Sequence, residues 1–301
     1  MDVDVFYRAP YATDTEAYRS FIRQICETEQ IDYVLPLTDI EIDVFQQWRQ
    51  EDQNCPGGRA VVCMSDRETI HLCRNKRRAA QLLDAQKICR TIPGKRLSEL
   101  LETLENSGQE GLAGLSYPLV IKPEDGRSSQ GLRRIFDFRE MELAVSQLRE
   151  QAEHYLVQPM ISGGITTVDV VRSPETGRCV CLPRRELLRT LNGAGTSVQV
   201  FRDPVLEKIC EAIAGALNVK GCVNFEFIEH HTEQGEVLWY FLECNPRFAG
   251  GVAFSCMAGY DMVKNHLRCF AGEEPEPAGR IQSQYIARRY TEYRMKEDTN
   301  E

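Results

Sequence analysis

The stretch that most narrows the choice of fold is "CVNFEFIEHHTEQGEVLWYFLECNPR", residues 222–247. Two apolar runs flank a polar turn, which reads as a long β-hairpin. The second run begins around Val237, includes Phe241 and Leu242, and reads as a buried strand. Glu243, Asn245 and Arg247 then follow at alternate positions. In an extended chain, positions two apart point to the same side. A carboxylate, an amide oxygen and a guanidinium therefore line one face where a strand leaves the core.

Upstream, helix and strand patterns alternate. Residues 15–29 place Tyr18, Phe21, Ile22 and Ile25 at helical spacing. "IDYVLPLT" (31–38) predicts a short buried strand, Asp39–Gln50 a second helix and "RAVVCMS" (59–65) another strand. This α–β–α–β order implies a parallel sheet, apolar on both faces. It lacks an opening strand and a glycine-rich turn. Arg74–Gln86 predicts a basic amphipathic helix and Leu97–Glu105 a short one. "YPLVIKP" (117–123) is a strand that runs through "EDGRSSQG" into a second strand, "LRRIFDF". Arg139–Ala152 follows as a helix, "HYLVQPMI" as a strand, and residues 166–187 as strand–turn–strand. Asp203–Leu217 is a helix, then comes the long hairpin, a helix at Asp261–Ala271, a linker at 275–280 and a last strand in 281–290. The fold class is α/β, with a shortened N-terminal parallel-sheet domain over residues 1–72 and a larger domain over 73–301.

The length of 301 residues suits two domains or one large α/β unit. A net charge of −9 argues against general binding to nucleic acid or an anionic membrane surface. No apolar stretch approaches a membrane span, and the acidic start "MDVDVFYRAP" has no signal-peptide pattern. Twelve cysteines occur without any CxxC; only Cys179 and Cys181 form a CxC. Most sit in apolar settings, where cysteine packs as a small hydrophobe, so reduced thiols and a cytoplasmic location are expected.

Three constellations carry chemistry. Glu226 on the first hairpin strand joins Glu243 and Asn245 at the end of the second. Two carboxylates and an amide oxygen make a hard oxygen set suited to Mg²⁺, which keeps waters and takes phosphate oxygens as well. An exposed polar face would give the same spacing. Lys122 ends an apolar strand beside a loop containing Gly126, Ser128, Ser129 and Gly131, whose amides could cap phosphates. Taken alone, that loop reads as an ordinary hairpin tip. Lys76 opens a helix with Arg74, Arg77 and Arg78 around it, and one cation aimed at a cleft would again suit phosphate.

The order lysine helix, strand–Lys–Pro–Ser/Gly loop, carboxylate hairpin ending E-x-N-P-R resembles the ATP-grasp superfamily. It is nearest to the branch of carbamoyl-phosphate-synthase-like enzymes and carboxylate–amine ligases, over about residues 30–275. The fragments that carry it are "TDIE", "YPLVIKPEDGRSSQGL", "VQPMISGGITTVDV", "NFEFIE" and "FLECNPRFAGG…AGYDM". The resemblance implies two lobes that clamp ATP, a small one at about 115–160 and a large one at about 161–290. It implies Lys76 and Lys122 as phosphate-binding cations, Gly126–Gly131 as a mobile phosphate loop, and Gln158, Pro159, Met160 and Ile161 as the adenine-lining hinge. It implies Glu226, Glu243 and Asn245 as ligands for magnesium, with manganese as an alternative ion. Arg247 would steady the transferred phosphate, and Arg184 or Arg185 would add a contact to phosphate or substrate.

The implied reaction phosphorylates a carboxylate from ATP and lets an amine displace the phosphate. Small-molecule acid and amine are the expected partners. A subunit or fragment like carbamoyl phosphate synthase, or an ATP-binding module without turnover, are the competing readings. Two departures stand out. Pro159 and Ile165 fall where such enzymes commonly carry Glu, the latter gripping ribose. The first βαβ of the N-terminal domain is also missing, so a homodimer through that domain is expected to cover the bare sheet edge.

Overall fold

The computed structural model describes residues 4–112, 114–126, 130–190 and 193–291. The N-terminal unit holds α1 (Thr15–Thr28), β1 (Tyr33–Val34), α2 (Asp39–Glu51), β2 (Val61–Val62) and α3 (Arg67–Arg74). Strands β1 and β2 pair in parallel, as the alternating pattern requires. Each spans only two residues, far shorter than the expected 31–38 and 59–65. One face packs on α1 and α2 through Val62, Phe45 and Trp48. The other is open: Tyr33 is 37% exposed and Val61 42%. An open face beside this pair agrees with the expectation of an uncovered sheet edge and adjacent face in this unit. Helix α2 starts on a reciprocal cap, in which Thr38 accepts from the Glu41 amide while the Glu41 carboxylate takes the Thr38 amide.

The expected helix Arg74–Gln86 is α4 (Lys76–Ala85); Arg74 instead ends α3, and Asn75 separates the two. Asn75 adopts extended dihedrals, and its side-chain oxygen accepts from the Arg78 amide, which caps α4. Two short strands follow, β3 (Arg90–Thr91) and β4 (Lys95–Arg96). The small lobe comprises α5 (Ser98–Ser107), β5 (Leu119–Pro123), β6 (Arg133–Ile135), α6 (Phe138–Leu148) and β7 (Tyr155–Pro159). Its sheet has the order β4-β7-β5-β6, so this lobe takes in residues from 95 onward as well as the expected 115–160. Leu119, Ile121 and Val157 face Leu100 of α5 and Met141 of α6.

The large lobe adds β8 (Gly164–Arg172), β9 (Cys179–Arg189), β10 (Gly195–Val200), α7 (Pro204–Ala216), β11 (Gly221–His231), β12 (Val237–Asn245), α8 (Val252–Met257), α9 (Met262–Phe270) and β13 (Gln284–Ala287). The sheet order is β13-β10-β9-β8-β11-β12-β3. Side chains alternate across it. Val168, Phe225 and Phe227 enter a core with Ala79 and Leu83 of α4 and Leu206 of α7. Val171, Leu182 and Val198 on the opposite face enter a second core under Phe254 and Met262. That second core covers only part of its face, and the uncovered part looks toward the small lobe. All twelve cysteines are free thiols. Among the described residues no helix is long and apolar enough to cross a membrane.

Candidate active site

Cross-strand pairing builds the acidic end of the site. Glu226 lies directly opposite Glu243, and Asn224 opposite Asn245, on the antiparallel pair β11–β12. Opposed residues share a face, so both carboxylates and both amides point together. The Asn245 Nδ2 donates to Asn224 Oδ1 at 3.2 Å and to Glu243 Oε1 at 3.3 Å, which leaves Asn245 Oδ1 as the outward acceptor. Asn224 Nδ2 in turn donates to the Arg247 carbonyl at 3.0 Å and fixes the turn after the strand. Burial and the neighbouring Glu243 carboxylate push the Glu226 carboxyl up to about 7, against the opposing pull of Arg189.

Cations of the chain already lean on these acids. Lys76 Nζ is 3.4 Å from Glu243 Oε2 and donates to the Gly126 carbonyl at 2.6 Å. Arg189 Nη2 lies 3.3 Å from both Glu226 oxygens. Lys122 is buried at the end of β5, 7% exposed. Burial first, and the Lys76 ammonium second, pull the Lys122 ammonium down to about 8, with Glu243 and Glu226 acting the other way. The donor set fits magnesium: two carboxylates and an amide oxygen, with one carboxyl pushed up by burial and by its neighbouring acid. Among the described residues no larger group of His, Cys, Asp and Glu is gathered around a metal position.

Between the lobes runs a cleft of about 470 Å³. Lys76, Lys122, Gly126, Glu226 and Glu243 line it together with Gln158, Pro159, Met160 and Ile161. The structure thus joins residues that lie up to 167 positions apart in sequence (76 to 243). Ile165, with its partner Ile228, also lines the cleft and makes it apolar there. Gln158 Nε2 donates to the Ile92 carbonyl at 2.7 Å. The Met160 amide is held by the Pro118 carbonyl at 2.9 Å, so of the hinge amides Met160 N–H is already engaged. Gly126 and Gly131 both fold against Pro123, where an added Cβ would sit 3.0 Å from its ring, and Gly131 has φ +74°. Ser128 and Ser129 lie outside the described residues.

Arg247 and Arg184 take different places. Arg247 Nε donates to Asp39 Oδ2 at 3.0 Å, and Arg74 Nη2 lies 3.4 Å from Asp39 Oδ1. Asp39, from the fragment "TDIE", thus orients the arginine after the metal strand. Arg184 does not line the cleft. It is 1% exposed, bonded to Asp169 and 3.3 Å from Glu186 Oε1, beneath Ser255 of α8. The expected phosphate or substrate contact from Arg184 is therefore corrected: its guanidinium is consumed in a buried ion pair. Arg185 points to the other face, to Glu229 at 2.7 Å. The arginine that reaches the cleft is Arg189. A register shift between β9 and β10 near Gly195 disturbs strict alternation, so counting along the strand could not have assigned it.

Residues 151–293 match the family model described as ATP-grasp in the biosynthetic pathway with Ter operon. Family match, sequence relatives and fold together support the ATP-grasp superfamily. In sequence this ATP-grasp chain is 28% identical over 178 residues to the carbamoyl phosphate synthase large chain of Caldanaerobacter subterraneus subsp. tengcongensis, a match covering 55% of this chain and 16% of that protein. In structure it is similar to a biotin carboxylase complex from Campylobacter jejuni, with TM-score 0.70 and 16% identity over 88% of this chain and 60% of the other. It is also similar to an L-amino acid ligase from Bacillus licheniformis, with TM-score 0.61 and 19% identity over 86% of this chain and 61% of the other. The chain thus spans about a sixth of the length of that curated relative and about three fifths of the solved chains. At these identities the solved structures establish the ATP-grasp fold of the chain.

Proposed function

We propose that this ATP-grasp chain is an ATP- and magnesium-dependent ligase that activates a carboxylate as an acyl phosphate for attack by an amine. The observation that carries the reading is the convergence of Lys76 and Lys122 on Glu226 and Glu243 in one interlobe cleft. Lys122 and Lys76 hold the phosphate oxygens. Glu226, Glu243 and Asn245 would hold the metal, which when bound would offset charge on those oxygens. Lys76 and Arg189, relieved of their acids, turn to phosphate or to the acyl group. Arg247, steadied by Asp39, faces the phosphoryl group in flight. An acid oxygen attacks the terminal phosphorus, the bond to ADP breaks, and the amine nitrogen then displaces phosphate at the acyl carbon. Position and charge supply the rate, without a covalent enzyme intermediate.

The match to carbamoyl phosphate synthase large chains favours bicarbonate as one acid to include. The test is ADP release with MgATP, a panel of carboxylic acids, amino acids and bicarbonate, and hydroxylamine to trap acyl phosphate as hydroxamate. Acid-dependent ADP release with hydroxamate supports the ligase. MgATP binding with no acid-dependent ADP release would leave an ATP-binding module instead. A second copy is proposed to cover the open face of β1 and β2.

A further inference from the structure

Lys76 and Lys122 reach the cleft from different bodies. Lys76 opens α4, whose Ala79 and Leu83 are embedded in the large-lobe core. Lys122 ends β5 in the small-lobe sheet. Two cations that must grip one triphosphate need a fixed spacing, and something has to hold these two bodies in register.

Glu124, two residues after Lys122, does this. Its carboxylate is buried, with the side chain 6% exposed, and no step of the proposed reaction uses it. Arg96 of β4 donates to it through Nε at 2.6 Å and Nη2 at 3.2 Å, a two-pronged grip within the small lobe. Asn75 Nδ2 donates to its Oε2 at 3.3 Å from the α4 side. Arg77 Nη1 stands 3.9 Å from Oε1. The backbone repeats the link: the Glu124 carbonyl accepts from the Lys76 amide at 3.2 Å, and the Glu124 amide donates to the His154 carbonyl at 2.8 Å. Asn75 serves both sides at once, capping α4 with its oxygen and binding Glu124 with its nitrogen. Burial raises the Glu124 carboxyl, but the hydrogen bonds from Arg96 and Asn75 and the charges of Arg96 and Arg77 outweigh it and hold it below the usual range.

We propose that Glu124 is a positioning residue. Its carboxylate, gripped by Arg96 and Asn75, locks the N-terminus of α4 to the small-lobe sheet and so sets the spacing of Lys76 and Lys122 for a triphosphate. The proposal rests on the nucleotide reading of the cleft.

The test uses the whole chain and three probes: ATP with magnesium, inorganic tripolyphosphate and adenosine, each by titration calorimetry. Glu124→Ala should weaken ATP and tripolyphosphate about tenfold or more while adenosine changes less than about twofold, as expected for loss of a charge-assisted contact worth more than ~1.4 kcal/mol. Asn75→Asp separates the lock from helix stability. Aspartate caps a helix as well as asparagine, but offers Glu124 no donor and repels it. It should reproduce the selective loss of phosphate binding with adenosine affinity within about twofold of wild type. Glu124→Gln, which keeps part of the hydrogen bonding, should lie between wild type and Glu124→Ala. Equal losses for ATP and adenosine, or Asn75→Asp binding ATP like wild type, would overturn the proposal while leaving the nucleotide reading in place. A wild-type chain that binds neither ATP nor tripolyphosphate overturns both.

Discussion

At Lys122 the ammonium is buried beside the Lys76 ammonium, and burial and repulsion together bring it from the ordinary 10.5 to about 8. In the window between about 8 and 10.5 the folded chain binds fewer protons here than the unfolded chain. The cost of the buried charge is therefore full below about 8 and fades as pH rises through that window. A bound triphosphate reverses the preference, because its oxygens favour the ammonium. ATP binding should take up a proton above about pH 8 and weaken as pH rises further. Calorimetry near pH 9 in two buffers of different ionisation heat checks this; identical enthalpies would show that Lys122 does not meet phosphate. Lys122→Ala should weaken MgATP much more than adenosine and remove this proton uptake. The acids give a second prediction at this scale. Glu243→Gln should leave the fold intact yet cut turnover by a factor equivalent to several kcal/mol, on the order of what a lost metal ligand costs. Turnover within a few fold of wild type at low magnesium would remove Glu243 from the ligand set.

Among the elements, β8, β9 and α8 meet at a charge cluster. Arg184 bonds Asp169, and Ser255 Oγ donates to the same carboxylate at 2.7 Å. Replacing Arg184 by Met leaves Asp169 and Glu186 buried without their counter-charge, and should cost about 3–5 kcal/mol of stability. Nucleotide affinity, measured below the melting temperature, should hold within about twofold, since a buried partner of acids contributes stability and not phosphate contact. Selective loss of ATP affinity with an unchanged melting point would restore Arg184 to the site. The contrast between Arg184 and Glu226 shows what the sequence could tell. The hairpin 222–247, the strand ending in Lys122 and the amphipathic helices were legible because period-2 and period-3.6 patterns record which face is buried. The pairing of Glu226 with Glu243 followed from the hairpin alone. The burial of Arg184 is not legible, because the cover over its face comes from α8, an element of six residues with too little periodicity to read. The start of α4 is less legible, because Asn75 lies within a basic run and only its cap marks Arg74 as the end of α3. Arg189 and Glu124 went unassigned for a related reason: their roles depend on a bulge and on contacts across 28 to 49 positions, which local spacing does not encode.

For the whole molecule, the open face of the N-terminal unit is the feature left to account for. Tyr33 and Val61 are paired on β1 and β2 and point the same way, 37% and 42% exposed. Leu37, just after β1, is also exposed, at 59%. Beside it lies a groove of about 430 Å³, lined by Tyr33 together with Val263 and Leu267 of α9 and edged by Asp261, Lys264 and Arg268. One apolar surface therefore runs from the short sheet onto the large lobe, with charges of both signs at its rim. A patch of that kind is self-complementary under a two-fold axis, because each copy offers both the ridge of Tyr33 and the groove beside α9. Two short parallel strands with a bare edge are also an association hazard unless covered. Light scattering on the purified chain should accordingly give about twice its 34.4 kDa mass. Val61→Asp, which places a charge on the open face without touching the cleft, should shift the mass to that of one chain and leave MgATP affinity within about twofold. A wild-type chain that stays single at high concentration would show that water alone covers this face and would end the dimer proposal. A Val61→Asp chain that still measures as two copies would move the interface elsewhere on the molecule.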